Sequence, residues 1–185
     1  MTKPARIILL NGVGSVGKSS IAKALQTITT ETFLHVSMDA FLDMMPAASF
    51  EHSDGVTFET IQADGKPSVI IHTGPVATRV FRGMRHAVAA MAAQGNNMIL
   101  DEVLLGEEKR EYPALLVPFE VHMVGVFAPL EVLEARERER GDRIIGLARW
   151  QYERVHRDMT YDLEIDTSSA TPMECAELIK RKFRL

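Results

Sequence analysis

The chain has 185 residues, the size of one ordinary domain with one core. Its 21 Lys and Arg against 25 Asp and Glu leave a net charge of −4, which speaks against a general nucleic-acid-binding surface. With 46% hydrophobic and 25% charged residues, a single cysteine (Cys175) that excludes an internal disulfide, and no apolar run of signal-peptide or membrane-span length, a globular protein of the cytoplasm is expected, with no membrane or nucleic-acid partner.

Residues 7–10 form a short apolar run that stops at Asn11-Gly12 and reads as a buried strand. Ile21, Leu25 and Ile28 then recur at helical spacing in a helix that begins at Lys18. Residues 34–38 read as a second strand ending at Asp39, followed by a short helix that stops before Pro46. Residues 46–75 are the irregular part, long enough without helical period to be a functional loop. Within it, 56–62 and 68–72 fit a hairpin around Asp64-Gly65. Residues 79–93 read as a helix closed by Gly95, and 98–100 as a third strand ending at Asp101-Glu102. A fourth strand is expected at 121–127, then a helix that Pro129 opens and Gly141 stops after Arg140. A helix over 145–155, a short strand over 163–165 and an amphipathic terminal helix over 172–183 complete the chain. Strands alternating with helices predict an α/β fold with a mostly parallel sheet, in one domain over 1–185. Ligands of such sheets bind beyond the carboxyl ends of the strands, where Asn11, Asp39 and Asp101 fall.

Gly12-Val13-Gly14-Ser15-Val16-Gly17-Lys18-Ser19 matches the phosphate-binding pattern G-x-x-x-x-G-K-[ST], between a strand and a helix as that pattern requires. Its backbone N–H groups, continued by Ser20, suit phosphate oxygens at a helix N-terminus. Lys18 suits the β- and γ-phosphates, and Ser19 suits Mg²⁺. The same residues also contain Gly12-x-Gly14-x-x-Gly17, the dinucleotide fingerprint, with Asp39 near the place of a ribose-binding acid. The Lys18-Ser19 pair, which a triphosphate needs and a dinucleotide does not, favours the first reading. Asn-Lys-x-Asp, which reads a guanine, is absent, so ATP is the expected nucleotide. His156-Arg157-Asp158 resembles a protein-kinase catalytic loop, but Leu163 stands where that loop has asparagine and no Asp-Phe-Gly follows.

A carboxylate at Asp39 is placed to take the proton of an attacking hydroxyl; the alternative is that it caps the short helix after it. Asp101, after an apolar strand, is a candidate to hold Mg²⁺ with Ser19. Arg136, Arg140 and Arg143 follow at spacings of four and three and can share one helical face, from which guanidinium groups stabilise a transferring phosphoryl group. Glu134, Glu137 and Glu139 are interleaved with them, so a solvated ion-pair helix is the competing reading. Gly141-Asp142 would give the loop after it freedom to close as a lid over 136–146. The six histidines make no metal spacing, and Cys175 reads as core.

The chain resembles the chloramphenicol phosphotransferases, small kinases with a phosphate-binding loop, over nearly its whole length. The resemblance rests on Ile-Leu-Leu-Asn-Gly before the loop, Gly17-Lys18-Ser19, Val-Ser-Met-Asp at 36–39, Met45-Pro46, Ala63-Asp64-Gly65 and Gly74-Pro75. It continues in Ile99-Leu100-Asp101-Glu102-Val103, Arg140-Gly141-Asp142-Arg143 with Gly146, Tyr161-Asp162 and Asp166-Thr167. It implies a five-stranded parallel sheet flanked by helices, like that of nucleoside monophosphate kinases, and transfer of the ATP γ-phosphate to a hydroxyl of a small molecule such as an antibiotic. It implies Asp39 as base, Lys18 as phosphate clamp, Arg136, Arg140 and Arg143 in the lid, and Thr167 near the adenine. Gly14 and Val16 stand where that family tends to have serine and alanine, and 47–73, within the 46–75 insertion that the resemblance puts on the acceptor side, is longer and more polar. A nucleotide-binding regulatory protein is the alternative function, and a homo-oligomer is compatible with either.

Overall fold

In β1 (Arg6–Asn11) alternate side chains enter opposite apolar layers: Ile7 and Leu9 one, Ile8 and Leu10 the other, all fully buried. A strand buried on both faces belongs inside a parallel α/β sheet. The computed structural model, which describes residues 4–141 and 144–185, has that sheet. Its five strands run in the order β2 (Phe33–Ser37), β5 (Asn97–Glu102), β1, β6 (Glu120–Phe127), β7 (Leu163–Asp166), and every neighbouring pair is parallel.

One face carries α1 (Lys18–Ile28), α5 (Leu130–Arg140) and α7 (Pro172–Phe183), which bury Leu25, Leu133 and Ile179 against Ile8, Leu10 and Ile99. The other carries α3 (Pro75–Ala93) and α4 (Glu108–Leu116), which bury Val88, Tyr112 and Leu116 against Ile7, Leu9 and Leu100. The register sets Leu10 beside Asp101 and Asn11 beside Glu102, and Ser37 beside Asp101 on the other side. The carboxyl ends of β1, β2 and β5 therefore meet at one edge, where α2 (Met38–Leu42) also starts.

The expected hairpin forms a second, two-stranded antiparallel sheet from β3 (Val56–Ala63) and β4 (Lys66–Thr73). Asp64 and Gly65 turn it with φ of 52° and 73°, as an Asp-Gly hairpin turn requires. A small third cluster, Met45, Val56 and Ala77 with Phe58 and Phe81, seats the hairpin on α3. α6 (Leu147–Val155) starts two residues later than its apolar pattern suggested, after Gly146. α3 starts a turn earlier, with Pro75 in its first turn. Among the described residues, the one α-helix the sequence pattern did not suggest is α4: Pro113 lies inside it, and only Tyr112 and Leu116 face the core. Among the described residues, no helix is long and apolar enough to cross a membrane.

Candidate active site

The phosphate loop leaves β1 through a tight place. A Cβ on Gly12 would come within 2.5 Å of the Val126 carbonyl of β6, so only glycine passes. Gly17 caps α1 in the left-handed region at φ 101°, again a glycine requirement. Between them Val13 and Val16 are buried and hold the loop to the core, while Gly14, Ser15 and Gly17 line a cleft of about 1120 Å³. Lys18 Nζ donates to the carbonyls of Gly12 (2.9 Å) and Val13 (3.1 Å) and lies 3.7 Å from Asp101 Oδ1. Burial pushes its ammonium below the usual lysine range, against the pull of Asp101, Asp39 and Glu102. Side chains from outside the loop hold its backbone. Gln151 Oε1 accepts the Gly14 N–H at 2.8 Å, and the Thr167 hydroxyl donates to the Val16 carbonyl at 2.8 Å.

Asp101 is 8% exposed, and Ser19 Oγ donates to its Oδ2 at 2.5 Å. His35 Nε2 lies 3.6 Å from the same oxygen, beyond hydrogen-bond distance. Burial alone would raise the Asp101 carboxyl; His35, Lys18 and Ser19 together overcome it and hold the group below the usual carboxylate range. A hydroxyl beside an ionised carboxylate at the foot of a phosphate loop is an all-oxygen donor set, which fits Mg²⁺ shared with a nucleotide's phosphates. Ser20 lies beyond it in the first turn of α1 and lines the cleft.

Asp39 is an exposed second residue of α2 that lines the cleft, close enough for its charge to act on Lys18. It is not the cap: Ser37 is, its Oγ accepting the Ala40 N–H at 3.3 Å, so the strand ends two residues before Asp39. That settles the capping alternative by displacing it onto Ser37.

Arg136 and Arg140 both line the cleft from α5, one turn apart, and Arg140 is exposed. Arg136 is pinned: it donates to the Thr167 carbonyl at 2.7 Å and to Thr167 Oγ1 at 3.0 Å. Arg143 and Asp142 lie outside the described residues. Two of the interleaved glutamates do not form a solvated ion-pair face. Glu137 is 2% exposed and accepts the N–H groups of Gly146 and Ala148, both at 2.8 Å, at the start of α6. Glu134 reaches Lys66 of the hairpin at 3.2 Å and pairs with Arg149.

The pattern of residue types overlooked the far end of the cleft. Glu102 follows Asp101, so the pleat turns it to the opposite face, toward α3 and α4. It is 2% exposed, and burial raises its carboxyl to about 8, with Tyr112, Asp101, Arg85 and Lys18 acting on it in smaller measure. The strand period is the signal that separates these two acids: a residue beside Ser19 cannot share a face with its neighbour. Asn11 was expected near a ligand, yet it is fully buried as a brace. Its Oδ1 accepts the Leu104 N–H, and its Nδ2 donates to Tyr161 Oη and to the Val155 carbonyl.

The sequence pattern of the family described as "Chloramphenicol phosphotransferase-like protein" matches residues 5–184. Two Mycobacterium tuberculosis strains each have a protein named "Putative O-phosphotransferase" that is 33% identical over 187 aligned residues, covering 97% of this chain and 82% of theirs. Among solved structures, a Mycobacterium tuberculosis APS kinase in complex with AMPPNP and APS superposes with a TM-score of 0.68 at 14% identity over 100% of both chains. A sugar kinase from Janibacter sp. gives 0.66 at 19% identity, over 98% of this chain and 95% of that one. These likenesses place the fold among the kinases with a phosphate-binding loop. The chain belongs to the chloramphenicol phosphotransferase-like family, which displaces the dinucleotide reading of the glycine loop.

Proposed function

We propose that this member of the chloramphenicol phosphotransferase-like family moves the γ-phosphate of ATP to a hydroxyl of a small molecule. The carrying observation is that one cleft is lined by Lys18, Ser19, Asp101 and Asp39 together, beside a largely apolar wall from the hairpin and α3. In this reading the loop N–H groups up to Ser20 receive the phosphates at the N-terminus of α1. Lys18 exchanges the Gly12 and Val13 carbonyls for phosphate oxygens, a short move because its ammonium already sits at the loop's centre. Ser19 and Asp101 would hold Mg²⁺, which when bound neutralises charge on the β- and γ-phosphate oxygens. Asp39 accepts the proton of the acceptor hydroxyl as it attacks in line. Arg136, fixed by Thr167, faces the nucleotide, while Arg140 and Arg143 bring positive charge toward the transferring group from the lid. Thr167 lies beside the adenine in the same reading, and an antibiotic such as chloramphenicol is an acceptor the family name suggests.

The test is ADP release from Mg-ATP across a panel of hydroxylated acceptors, chloramphenicol included. Acceptor-dependent release is expected, and Asp39→Asn is expected to lose about 10²–10⁴ in turnover while still binding ATP. Undiminished turnover in the variant removes Asp39 from the role. ATP binding without release to any acceptor favours a nucleotide-binding regulatory protein instead.

A further inference from the structure

The far end of the cleft carries a cation with a donor to spare. Arg85 reaches in from α3 and lines the cleft, with 12% of its side chain exposed. Its Nη2 donates to Glu111 Oε2 at 2.6 Å, while its buried Nε has no hydrogen-bond partner among the described residues. A guanidinium presents its donors in a planar fork, and a buried donor left unpaired costs stability. Glu102 feels the Arg85 charge but shares a hydrogen bond with Tyr112 instead. Glu111 has a second cation of its own: its Oε1 lies 3.5 Å from Nε of Arg82, whose side chain is 68% exposed. A carboxylate entering the cleft can therefore take the Arg85 fork without leaving Glu111 uncompensated. Asp39 and Asp101 both act on Lys18, whose ammonium offsets their repulsion of such an anion. The wall beside Arg85 is apolar: Phe58 and Ile71 from the hairpin, Phe81 and Met84 from α3. Against such a wall a charge must be matched locally, and one guanidinium matches one negative charge. A phosphate monoester, nearly doubly charged, asks for a second cation, and Arg82 stays at the surface with Glu111.

We propose that Arg85 selects the acceptor by binding a carboxylate on it, so that the substrate of this chain is a hydroxy acid with a partly apolar body. The carboxylate accepts two N–H groups of the fork, that of Nε among them, in the planar bidentate arrangement. The apolar body rests on the wall from the hairpin and α3, and the hydroxyl is left free to take the phosphate. This assignment rests on the phosphotransferase reading above for the hydroxyl, and on the Arg85 guanidinium for the carboxylate.

The test separates binding from chemistry. Calorimetry in the presence of AMPPNP and Mg²⁺ compares probes matched in all but charge: 3-phenyllactate with 3-phenyllactamide, and pantothenate with panthenol. Each acid is expected to bind at least about tenfold more tightly than its neutral partner. Arg85→Gln is expected to weaken the better acid by about ten- to a hundredfold while AMPPNP affinity stays within about twofold. Arg85→Lys should restore only part of that loss, because an ammonium keeps the charge and lacks the fork. Glu111→Gln removes the competing carboxylate and is expected to tighten the acid by about three- to tenfold. A pair that merely ties α3 to α4 would behave differently: both substitutions would lower the melting temperature and neither would move acid affinity. The assignment is overturned by neutral partners or chloramphenicol binding as tightly as the acids, by acid affinity unchanged in Arg85→Gln, or by no acid binding at all. Glycerol 3-phosphate binding more tightly than either acid overturns the carboxylate in favour of a phosphate. Acid binding that depends on Arg85 but releases no ADP from Mg-ATP sinks the phosphotransferase reading and leaves the anion site standing. ADP release to chloramphenicol that is indifferent to Arg85 does the reverse.

Discussion

Lys18 and His156 show how burial sets protonation around the phosphate loop. A lysine as deeply placed as Lys18 is tolerated because two carbonyls and Asp101 surround its ammonium. His156 takes the opposite course and stays neutral. Its ring stacks on Phe127 at 3.8 Å between centroids, and its Nδ1 is 2.8 Å from Tyr161 Oη. Asn11 donates to that same hydroxyl at 2.7 Å, which leaves the tyrosine proton for His156. Burial, then the charges of Lys18 and Lys109, push the imidazole down to about 4. The folded chain therefore binds this proton less readily than the unfolded one, whose histidine titrates at about 6.5. Stability from this group is whole above about 6.5 and is lost as pH falls toward 4. His156→Phe keeps the stack and removes the titration. The melting temperature of the native chain minus that of the variant should fall between pH 7.5 and 4.5. A difference that stays flat across that range would show that His156 does not titrate as described.

In α5 the decisive residue is a glutamate rather than an arginine. Glu137 accepts two N–H groups at the start of α6, where helix donors have no partner within their own helix. Glu137→Ala would leave both unpaired and should cost about 2–4 kcal/mol. In a chain of this length that is a fall of about 5–15 °C in melting temperature, measurable by calorimetry. A change under about 2 °C would mean that water replaces the carboxylate without loss. The sequence pattern could not distinguish this glutamate from its neighbours, because its partners lie beyond the end of its own helix, at the start of the next. Where the determinants are local, the reading of the sequence succeeded. α7 runs from Pro172 to Phe183 as expected, since Pro172 sits in its first turn and Thr171 with Glu174 makes a capping box. The phosphate loop was equally legible, its spacing being the geometry itself. α4 was not, because an interior proline and a run of charged residues hide its two buried positions. Nor was the approach of Tyr112 to Glu102, which depends on how strand and helix are packed and not on any spacing within either.

The two sides of the cleft are joined by a continuous set of contacts. Gln151 of α6 holds the Gly14 N–H of the phosphate loop. Glu137 of α5 holds the start of α6. The Gly146 carbonyl at that start accepts the Val69 N–H of β4 at 3.0 Å, and Lys66 reaches Glu134. Whatever orders the loop thus acts on a helix that is bonded to the β3–β4 hairpin. Spatial continuity alone does not establish coupling; a shared response to ligand does. Hydrogen exchange supplies the measurement, because local opening reports the stability of each segment. AMPPNP with Mg²⁺ is expected to slow exchange in the loop, in α6 and in β4 together, although only the loop would touch the nucleotide's phosphates. Gln151→Ala, which cuts the link nearest the nucleotide, should retain protection of the loop and lose most of it in β4. Protection that reaches β4 unchanged in that variant would route the coupling elsewhere. Protection that never reaches β4 in the native chain would mean that the phosphate loop and the hairpin are built independently on one scaffold.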